Sequence, residues 1–401
     1  MLTPRLLVLG STYPARTGDG TPQFVRDLAK AEALSYKTMV LVPSVPGGAR
    51  REEDGELEVH RFRYFPRRWE DLADGAILEN LRRRKSRWAQ VLPFFLAEVL
   101  AIRREVRAFK PDIIHVHWLI PQGLAALIAA PNVPKLVTTL GGDVYGLRDW
   151  VSRHLIGAVL RNADAVTTMN TDMCDRLLEL GADPSTITVL SMGADVPAIR
   201  SLAAGAERRK GRILFVGRLV EKKGVTVLLR ALKLLEVTGY DLRIVGDGPL
   251  RPKLTSESTG LPATFVGVLG REALAAEYGA ASIAVFPSVP AASGDQDGLP
   301  VALLEAMSAG CAVIASNLPG LRDAVEDGLS GLLTTPGSAK ELATALRRLL
   351  DDPNWCDQLG QAAATRAQNF SVDTIGRGYV ALLDEVRALQ KGHAAGLPAI
   401  S

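Results

Sequence analysis

Residues 212–233 read RILFVGRLVEKKGVTVLLRALK: a short apolar run, a turn with two glycines and an amphipathic stretch. A short apolar run is typical of a buried strand, and the stretch after it has helical periodicity. The segment predicts a strand near Ile213–Phe215 and a helix near Gly224–Glu236. The same alternation recurs along the chain, and it is the signature of βαβ units with a parallel sheet.

The alternation falls into two halves. The first half predicts strands at Leu6–Gly10, Lys37–Val42, Glu56–Phe62, Asp112–His117, Lys135–Thr139, Ala165–Met169 and Thr186–Leu190. The second half predicts further strands at Asp241–Val245, Ala263–Phe265, Ser282–Phe286 and Ala312–Ser316. The polar, basic stretch Arg200–Arg212 between them indicates a linker. The predicted fold class is therefore α/β, with two doubly wound, Rossmann-like domains at 1–200 and 201–370 that face each other across a cleft.

Composition and charge exclude several classes of protein. The chain has 401 residues, is 47% hydrophobic and carries a formal net charge of +3, so it is globular and its charge does not require a nucleic-acid partner. Cys174, Cys311 and Cys356 lack CxxC spacing, and the five histidines lack HExxH, which argues against a disulfide framework and a zinc site. No apolar run approaches the roughly 18–20 residues of a membrane span. We expect a soluble or peripheral protein of the reducing cytoplasm, with no metal and no cofactor.

The glycine-rich loops do not match the dinucleotide or P-loop fingerprints. Gly18-Asp-Gly20 and Gly246-Asp-Gly248 both lack the third glycine of GxGxxG, and GxxxxGK[ST] is absent. Gly18 and Gly20 still allow a ligand to approach the backbone at the following helix N-terminus. A turn with ordinary glycines is an equally good interpretation of this loop.

The turn after Ile213–Phe215 combines Gly217, Arg218 and Lys223. Two cations and the N–H groups of the next helix form a compact trap for an anion. For this turn alone, a solvated basic loop is the better interpretation.

A later segment, residues 293–310, reads SGDQDGLPVALLEAMSAG and favours the anion site. Asp297 directly precedes a predicted helix, where the N–H groups of Gly298 and Leu299 are free to meet an anion. Pro300 has the backbone geometry of a first helical turn. Glu305 lies on an otherwise apolar helix, and a carboxylate there needs a partner. A helix-capping aspartate and a glutamate paired with a core arginine are the alternative.

Together these segments resemble the donor half of retaining glycosyltransferase family four, which has the GT-B fold. The matching residues are Gly217-Arg218-x4-Lys223-Gly224, Asp297-Gly-Leu-Pro…Glu305-Ala-Met and Ser316-Asn-Leu-Pro-Gly320. The resemblance implies that Asp297 and Glu305 occupy the family's Glu-x7-Glu positions, which hold the sugar and the ribose. It implies that Arg218 and Lys223 neutralise the diphosphate. The donor-binding set also contains Gly18, Gly20, Gly217, Gly298, Leu299, Pro300 and, in the loop Phe265–Gly270 that receives the base, Leu269.

The first half carries weaker matches to the same family. Pro111-Asp-Ile-Ile-His115-Val-His117-Trp118 resembles the family's Pro-Asp-Val-(Ile/Val)-His-x-His strand, which implies that His117 faces the donor sugar. His115 points to the same side of the strand. For His115, but not for His117, a histidine held by structural hydrogen bonds is the better interpretation. Thr139-Leu-Gly-Gly-Asp143 resembles the acceptor loop, with Gly141 where the family has histidine. The implied acceptor-binding residues are Trp118, Gly141, Asp143 and Asn170. The family's final helix packs back on the first domain, and Val372–Gln390, within the third predicted part at 371–401, is the matching segment.

The resemblance implies an enzyme that transfers a hexose from a nucleoside diphosphate sugar to a hydroxyl acceptor with retention of configuration, without a metal. The implied catalytic residues are His117, Arg218, Lys223 and Asp297. The acceptor is a glycan, a lipid-linked sugar or a small glycoside. Two alternatives stay open: a nucleotide-sugar 2-epimerase of the same fold, and a non-catalytic nucleotide-sugar-binding protein.

Residues 60–110 differ from the rest of the chain. They hold 13 lysines and arginines against six aspartates and glutamates, a local excess of +7, interleaved with aromatic residues in RFRYFPRRW and LRRRKSRW. Such a mixture suits an anionic bilayer surface. A basic insertion on the acceptor side is the alternative, and no nucleic-acid-binding fold accompanies the segment.

Overall fold

The computed structural model describes residues 3–15, 21–75, 77–146, 149–235, 237–292 and 296–395, with side chains to residue 389. The chain divides into two compact units. The first unit consists of Met1–Met169, Met173–Leu190 and Ile375–Ser401, and the second of Asn170–Asp172 and Ser191–Thr374.

Within the described residues, the first unit has an eight-stranded sheet of order β3-β4-β2-β1-β5-β6-β7-β8. Its strands are β1 (Arg5–Leu9), β2 (Lys37–Pro43), β3 (Arg51–Asp54), β4 (Leu57–Phe62), β5 (Ile113–His117), β6 (Lys135–Thr138), β7 (Ala165–Thr168) and β8 (Ile187–Val189). The strands are parallel except β3, which pairs antiparallel with β4. Its helices are α1 (Phe24–Ala33), α2 (Ile77–Arg83), α3 (Val91–Phe109), α4 (Leu124–Ala129), α5 (Gly142–Tyr145), α6 (Trp150–Asn162), α7 (Thr171–Glu179) and, at the end of the chain, α16 (Val372–Ala395).

The second unit has a parallel sheet of order β11-β10-β9-β12-β13-β14 over its described residues. Its strands are β9 (Arg209–Val216), β10 (Asp241–Val245), β11 (Ala263–Gly267), β12 (Ala281–Phe286), β13 (Ala312–Ser316) and β14 (Leu332–Thr334). Its helices are α8 (Val196–Ala203), α9 (Val225–Lys233), α10 (Arg251–Glu257), α11 (Arg271–Ala280), α12 (Val301–Ser308), α13 (Pro319–Ala324), α14 (Ala339–Asp351) and α15 (Pro353–Ala367).

Helices cover both faces of the second sheet. Successive side chains of a strand point to opposite faces, so Ile213 and Phe215 of β9 enter one hydrophobic cluster and Leu214 enters the other. Each such buried side chain contributes about 1.5–3 kcal/mol of hydrophobic stabilisation. The near-continuous apolar strands of the sequence follow from this double burial, and the predicted doubly wound α/β class is confirmed.

The last helix packs within the first unit. The Tyr36 hydroxyl donates a hydrogen bond to Asp384 Oδ1 at 2.7 Å. A Cβ built on Gly376 would lie 2.5 Å from Ala31 Cβ, so α16 and α1 approach closely.

The predicted linker at Arg200–Arg212 is wrong. Helix α8 continues to Ala203 and strand β9 begins at Arg209. Val196 and Ile199 of α8 pack in the core of the second unit. The division between the units consequently falls at Leu190, before the expected boundary at 200.

Strands β3 and β14 are absent from the predicted strands. Strand β3 reads REED and has no apolar alternation, and β14 has only three residues. In the described part of the chain, no helix is long and apolar enough to cross a membrane.

The buried carboxyl group of Glu98, on α3, should make the stability of the fold depend on pH. Burial raises the pKa of Glu98 to about 8, from an ordinary value of 4.5. Between these values the folded chain keeps a proton that the unfolded chain has lost, so the contribution of Glu98 to stability is fully present below pH 4.5 and is lost as the pH rises to about 8. The slope is about 1.4 kcal/mol per pH unit. Glu98→Gln, which does not titrate, should remove this loss.

Urea unfolding of wild type and Glu98→Gln over this pH range checks the prediction. The unfolding free energy of the variant minus that of the wild type should increase as the pH rises to about 8 and should then stay constant. The exposed Glu385→Gln is the control and should run parallel to the wild type. A constant difference between wild type and Glu98→Gln would contradict the prediction.

Candidate active site

The loops of the second unit that carry the motif residues follow the carboxyl ends of parallel strands, where open α/β sheets bind ligands. Gly217 follows β9 and Gly246 follows β10. The Gly217 N–H donates to the Val245 carbonyl at 3.0 Å, and the Gly246 N–H donates to the Gly267 carbonyl at 2.8 Å. These bonds hold the loops after three adjacent strands together.

Gly224 sets the position of the basic turn. Its φ is 65°, in the left-handed region that favours glycine. A Cβ built on it would lie 1.8 Å from the Pro287 carbonyl oxygen, so the turn before α9 rests directly on the loop after β12. This contact brings Lys223 to the segment that contains Asp297.

Asp297 lies at the centre of a polar cluster. Lys223 Nζ donates to its Oδ2 at 2.9 Å and Ser288 Oγ donates to the same oxygen at 2.7 Å. Lys222 Nζ lies 3.8 Å from Oδ1. Burial acts to raise the pKa of Asp297, but the charges of Lys223 and Lys222 and the two hydrogen bonds hold it below its usual value. The carboxylate is therefore ionised and cation-paired at neutral pH.

The carboxylate on α12 has a partner on α11. The hydroxyl of the fully buried Tyr278 donates to Glu305 Oε2 at 2.9 Å. Burial raises the pKa of Tyr278 well above its ordinary value, and the Glu305 charge raises it further. Tyr278 is thus one partner of the carboxylate that the apolar helix carries.

The loop before α12 is closely packed against α13. A Cβ built on Gly320 would lie 1.4 Å from the Gly298 carbonyl oxygen and 2.9 Å from Asn170 Nδ2. Asn170 was predicted to bind the acceptor, but the structure assigns it to the second unit, next to the predicted donor loop. Pro300 is the residue that precedes α12 and not part of its first turn.

The other predicted donor residues lie on the surfaces of the same loops. The Arg218 side chain is exposed, while Leu269 and Leu299 are half-buried. Gly18 and Gly20 lie outside the described residues. No cluster of three His, Cys, Asp or Glu side chains that could hold a metal occurs among the residues that the structure describes.

In the first unit, His115 belongs to a buried hydrogen-bonded chain. Its Nδ1 lies 2.6 Å from Glu32 Oε1, and its Nε2 lies 2.7 Å from Thr138 Oγ1. The chain continues through Thr167 to Tyr379, whose hydroxyl donates to the Leu190 carbonyl at 3.1 Å. Burial lowers the pKa of His115 to about 3 and raises that of Glu32. Both shifts favour the neutral forms, and the chain links α16 to the central strand β5.

His117 differs from His115 although both belong to β5. The two rings are 4.3 Å apart, on the same side of the strand as predicted. Both ring nitrogens of His117 are buried and have no hydrogen-bond partner among the described residues. Burial lowers its pKa well below the ordinary value, and the nearby His115 contributes. A neutral imidazole with unsatisfied nitrogens is suited to hydrogen-bond a ligand hydroxyl.

The predicted acceptor loop is organised by its own carboxylate. Asp143 Oδ1 accepts from the N–H groups of Leu140 and Gly141 at 3.1 Å each, and Oδ2 accepts from the Leu119 N–H at 2.9 Å. Gly141 has a φ of 101°, which favours glycine over the family's histidine. Trp118 is half-buried and its ring contacts Phe24 edge-on. Both oxygens of Asp143 hold the loop, so the structure gives this residue a positioning role.

Sequence reasoning missed three polar residues of these sites. Lys222 adjoins Lys223, and Ser288 lies two residues after the end of β12, so charge and strand position were available signals. Tyr278 lies on α11, and no sequence pattern marks its hydroxyl as a partner of Glu305.

Comparisons with known proteins identify the family of this chain. Residues 210–352 match the family model described as glycosyl transferases group 1, and residues 19–193 match the glycosyl transferase 4-like domain. Glycogen synthase of Mycobacterium tuberculosis is 32% identical over 285 residues, 67% of this chain and 67% of that protein. The 2-deoxystreptamine glucosyltransferase of Streptomyces kanamyceticus is 30% identical over 364 residues, 82% of this chain and 89% of the relative.

Solved structures share the fold. Sucrose-phosphate synthase from Thermosynechococcus elongatus superposes with a TM-score of 0.76 at 22% identity, covering 96% of this chain and all (100%) of that one. HepE of Anabaena, in complex with UDP-glucose, superposes with a TM-score of 0.68 at 19% identity, covering 95% of this chain and 99% of that one.

Proposed function

Because the chain belongs to the group 1 glycosyl transferases, the family-four enzymes of GT-B fold, we propose that it transfers a hexose from a nucleoside diphosphate sugar to a hydroxyl acceptor with retention of configuration. The main support for donor binding is the cluster of Lys223, Lys222 and Ser288 around the buried Asp297. A cation and a carboxylate held together at the carboxyl edge of a parallel sheet suit a ligand with both phosphates and hydroxyls.

Each donor group has a matching residue in the proposal. Arg218 and Lys223 bind the diphosphate, Asp297 holds a sugar hydroxyl, and Glu305 holds the ribose hydroxyls. The HepE structure, which holds UDP-glucose in a related fold, supports a nucleotide sugar as the ligand class. The acceptor hydroxyl belongs to a glycan, a lipid-linked sugar or a small glycoside.

The proposed reaction exchanges one C–O bond for another on the same face of the sugar. The bond from the anomeric carbon to the diphosphate breaks as the acceptor oxygen attacks. The acceptor proton passes to the departing phosphate oxygen, so no separate general base is required. Positive charge at Arg218 and Lys223 stabilises the developing diphosphate charge, and the proposal assigns this role to the two cations without a metal.

A thermal-shift screen against UDP-, GDP-, ADP- and dTDP-sugars tests donor binding. A ligand at 100 times its Kd stabilises the fold by about 2.7 kcal/mol, a readable shift. The screen is run with magnesium and with EDTA, and equal shifts support metal independence. Absence of a shift with every donor would contradict the donor assignment.

The product then separates the proposed reaction from its alternatives. With a donor and an acceptor, proton NMR should show a glycoside with the anomeric configuration of the donor, whereas an inverted configuration would refute retention. An epimerase would convert the donor, or release free nucleotide, without any acceptor. A non-catalytic protein would bind the donor and leave it intact.

Glu305→Ala is expected to raise the donor KM at least tenfold, because the ribose loses a charged hydrogen-bond acceptor. Tyr278→Phe is the matched variant: it removes the bond to Glu305 but keeps the carboxylate, and its KM should rise less. The measurement is initial rate against donor concentration. An unchanged KM in Glu305→Ala would reject the assignment of Glu305 to the ribose.

A further inference from the structure

The outward face of α3 is apolar. Leu92, Leu96 and Leu100, here named the leucine face, are 65%, 53% and 64% exposed. Residues four apart lie on the same side of a helix. The inward face buries apolar residues such as Phe94 and Ile102 together with the carboxyl groups of Glu98 and Glu105. A surface helix normally carries polar residues opposite its buried stripe, so the leucine face needs an explanation.

An exposed tryptophan precedes the leucine face. Trp88 is 62% exposed and lies four residues before Leu92, in the short turn Lys85–Gln90 that leads into α3. Its ring combines an apolar body with a polar N–H group, which suits a water–lipid boundary.

Basic residues lie at both ends of the leucine face. Exposed Arg82, Arg83, Arg84 and Lys85 precede it. After it, a groove of about 440 Å³ is lined by Leu100, Arg103, Arg104, Arg107 and Ala108. A second groove of about 330 Å³ shares Arg104 and is also lined by Arg50, Arg51, His60 and Arg61.

Two of these arginines are held by carboxylates. Arg104 pairs with Glu105, and Arg61 pairs with Glu52 at 2.7 Å. Arg103 makes a long bond of 3.4 Å to the Ile128 carbonyl. Arg103 and Arg107 are exposed at the groove that adjoins Leu100, which places cationic groups next to an apolar surface.

We propose that the leucine face docks the first unit on an anionic phospholipid bilayer. The leucines and Trp88 enter the boundary between headgroups and acyl chains, and Arg103 and Arg107 contact lipid phosphates. Apolar burial combined with attraction to anionic lipids is how an amphipathic surface binds a membrane.

The charge pattern favours a bilayer over a second copy of the chain. Both ends of the leucine face are basic, so pairing two such faces in either direction brings positive charge against positive charge. A bilayer supplies both an apolar layer and phosphates, and it matches both parts of the surface. The proposal goes beyond sugar transfer and does not rest on it.

Vesicle co-sedimentation of the whole protein, without donor or acceptor, tests the proposal. The vesicles are phosphatidylcholine alone or phosphatidylcholine mixed with phosphatidylglycerol. Wild type should bind the anionic vesicles and bind less at high salt. The triple variant Leu92→Ser, Leu96→Ser, Leu100→Ser should lose at least tenfold in partitioning. The control Leu34→Ser, Leu234→Ser, Leu329→Ser, at leucines of similar exposure away from α3, should bind as wild type does.

The double variant Arg103→Gln, Arg107→Gln tests the contribution of positive charge to vesicle binding. Each cation near an anionic surface strengthens binding about fivefold, so the double variant should bind anionic vesicles about 25-fold more weakly. Its binding to pure phosphatidylcholine should not change. Circular dichroism and Tm, which should match those of wild type because these side chains are exposed, exclude misfolding as the cause.

Three results would overturn the proposal. The first is absence of wild-type binding to the anionic vesicles, and the second is equal binding by wild type and the leucine variant. The third comes from sedimentation velocity: a wild-type dimer that the leucine variant converts to a monomer would show that the face pairs two copies instead.

Discussion

Lys223→Ala is expected to lower kcat by about 10²–10³-fold, the loss typical of removing one preorganised charge or donor at a departing anion. Lys223 Nζ is positioned by its 2.9 Å bond to Asp297, and its side chain is only 18% exposed. A cation fixed in this partly desolvated position stabilises the diphosphate as it leaves and needs little reorganisation during the reaction. The variant should fold, because Lys222 and Ser288 still contact Asp297.

Release of nucleoside diphosphate at saturating donor and acceptor measures this effect. Lys222→Ala is the matched control, since it removes a neighbouring lysine that lies 3.8 Å from the same carboxylate. We expect a much smaller loss there. Equal losses in both variants would mean that the lysines act by positioning Asp297, and near-wild-type turnover of Lys223→Ala would refute the role of Lys223.

Gly320→Ala is expected to weaken donor binding at least tenfold and to destabilise the fold by about 1–3 kcal/mol, as overpacking of a tight contact does. The new methyl group would lie 1.4 Å from the Gly298 carbonyl oxygen. Because that carbonyl belongs to the backbone, the whole segment that carries Asp297 must move. The effect on the donor is therefore transmitted through the loop and requires no contact between residue 320 and the ligand.

Donor titration and thermal unfolding of the same variant measure the two effects. Gly205→Ala is the control: it lies in the second unit, and a Cβ built there has no neighbour within 4 Å. It should change neither donor affinity nor Tm. Wild-type donor affinity in Gly320→Ala would show that the loop before α12 adapts without affecting the ligand.

The basic segment shows where sequence reasoning reached its limit. Composition alone predicted a basic and aromatic surface over residues 60–110. Phe94, an aromatic residue of that segment, is buried in the structure, while Leu92 and Leu96 are exposed. Apolar residues lie on both faces of α3, and the inward face also holds Glu98 and Glu105, so periodicity could not indicate which face points inward. The packing of α3 against the first sheet decides it.

The histidine strand gives a second example. The sequence predicted that His115 and His117 point to the same side, because side chains alternate along a strand. It did not predict that Glu32 and Thr138 satisfy His115 and leave the nitrogens of His117 without described partners. These groups come from three separate elements, and only the assembled core brings them together.

The sequence by itself determined the alternation of strands and helices, the doubly wound class and the types of residue in the loops of the second unit. These features depend on side-chain periodicity and on glycine at tight turns, which are local properties of the chain. The tertiary structure alone decided that Lys223 meets Asp297, that Tyr278 meets Glu305, that α8 belongs to the second unit and that the leucine face of α3 is exposed. Each of these depends on packing between segments distant in sequence, and no local pattern specifies which of many compatible partners a buried polar or apolar group contacts.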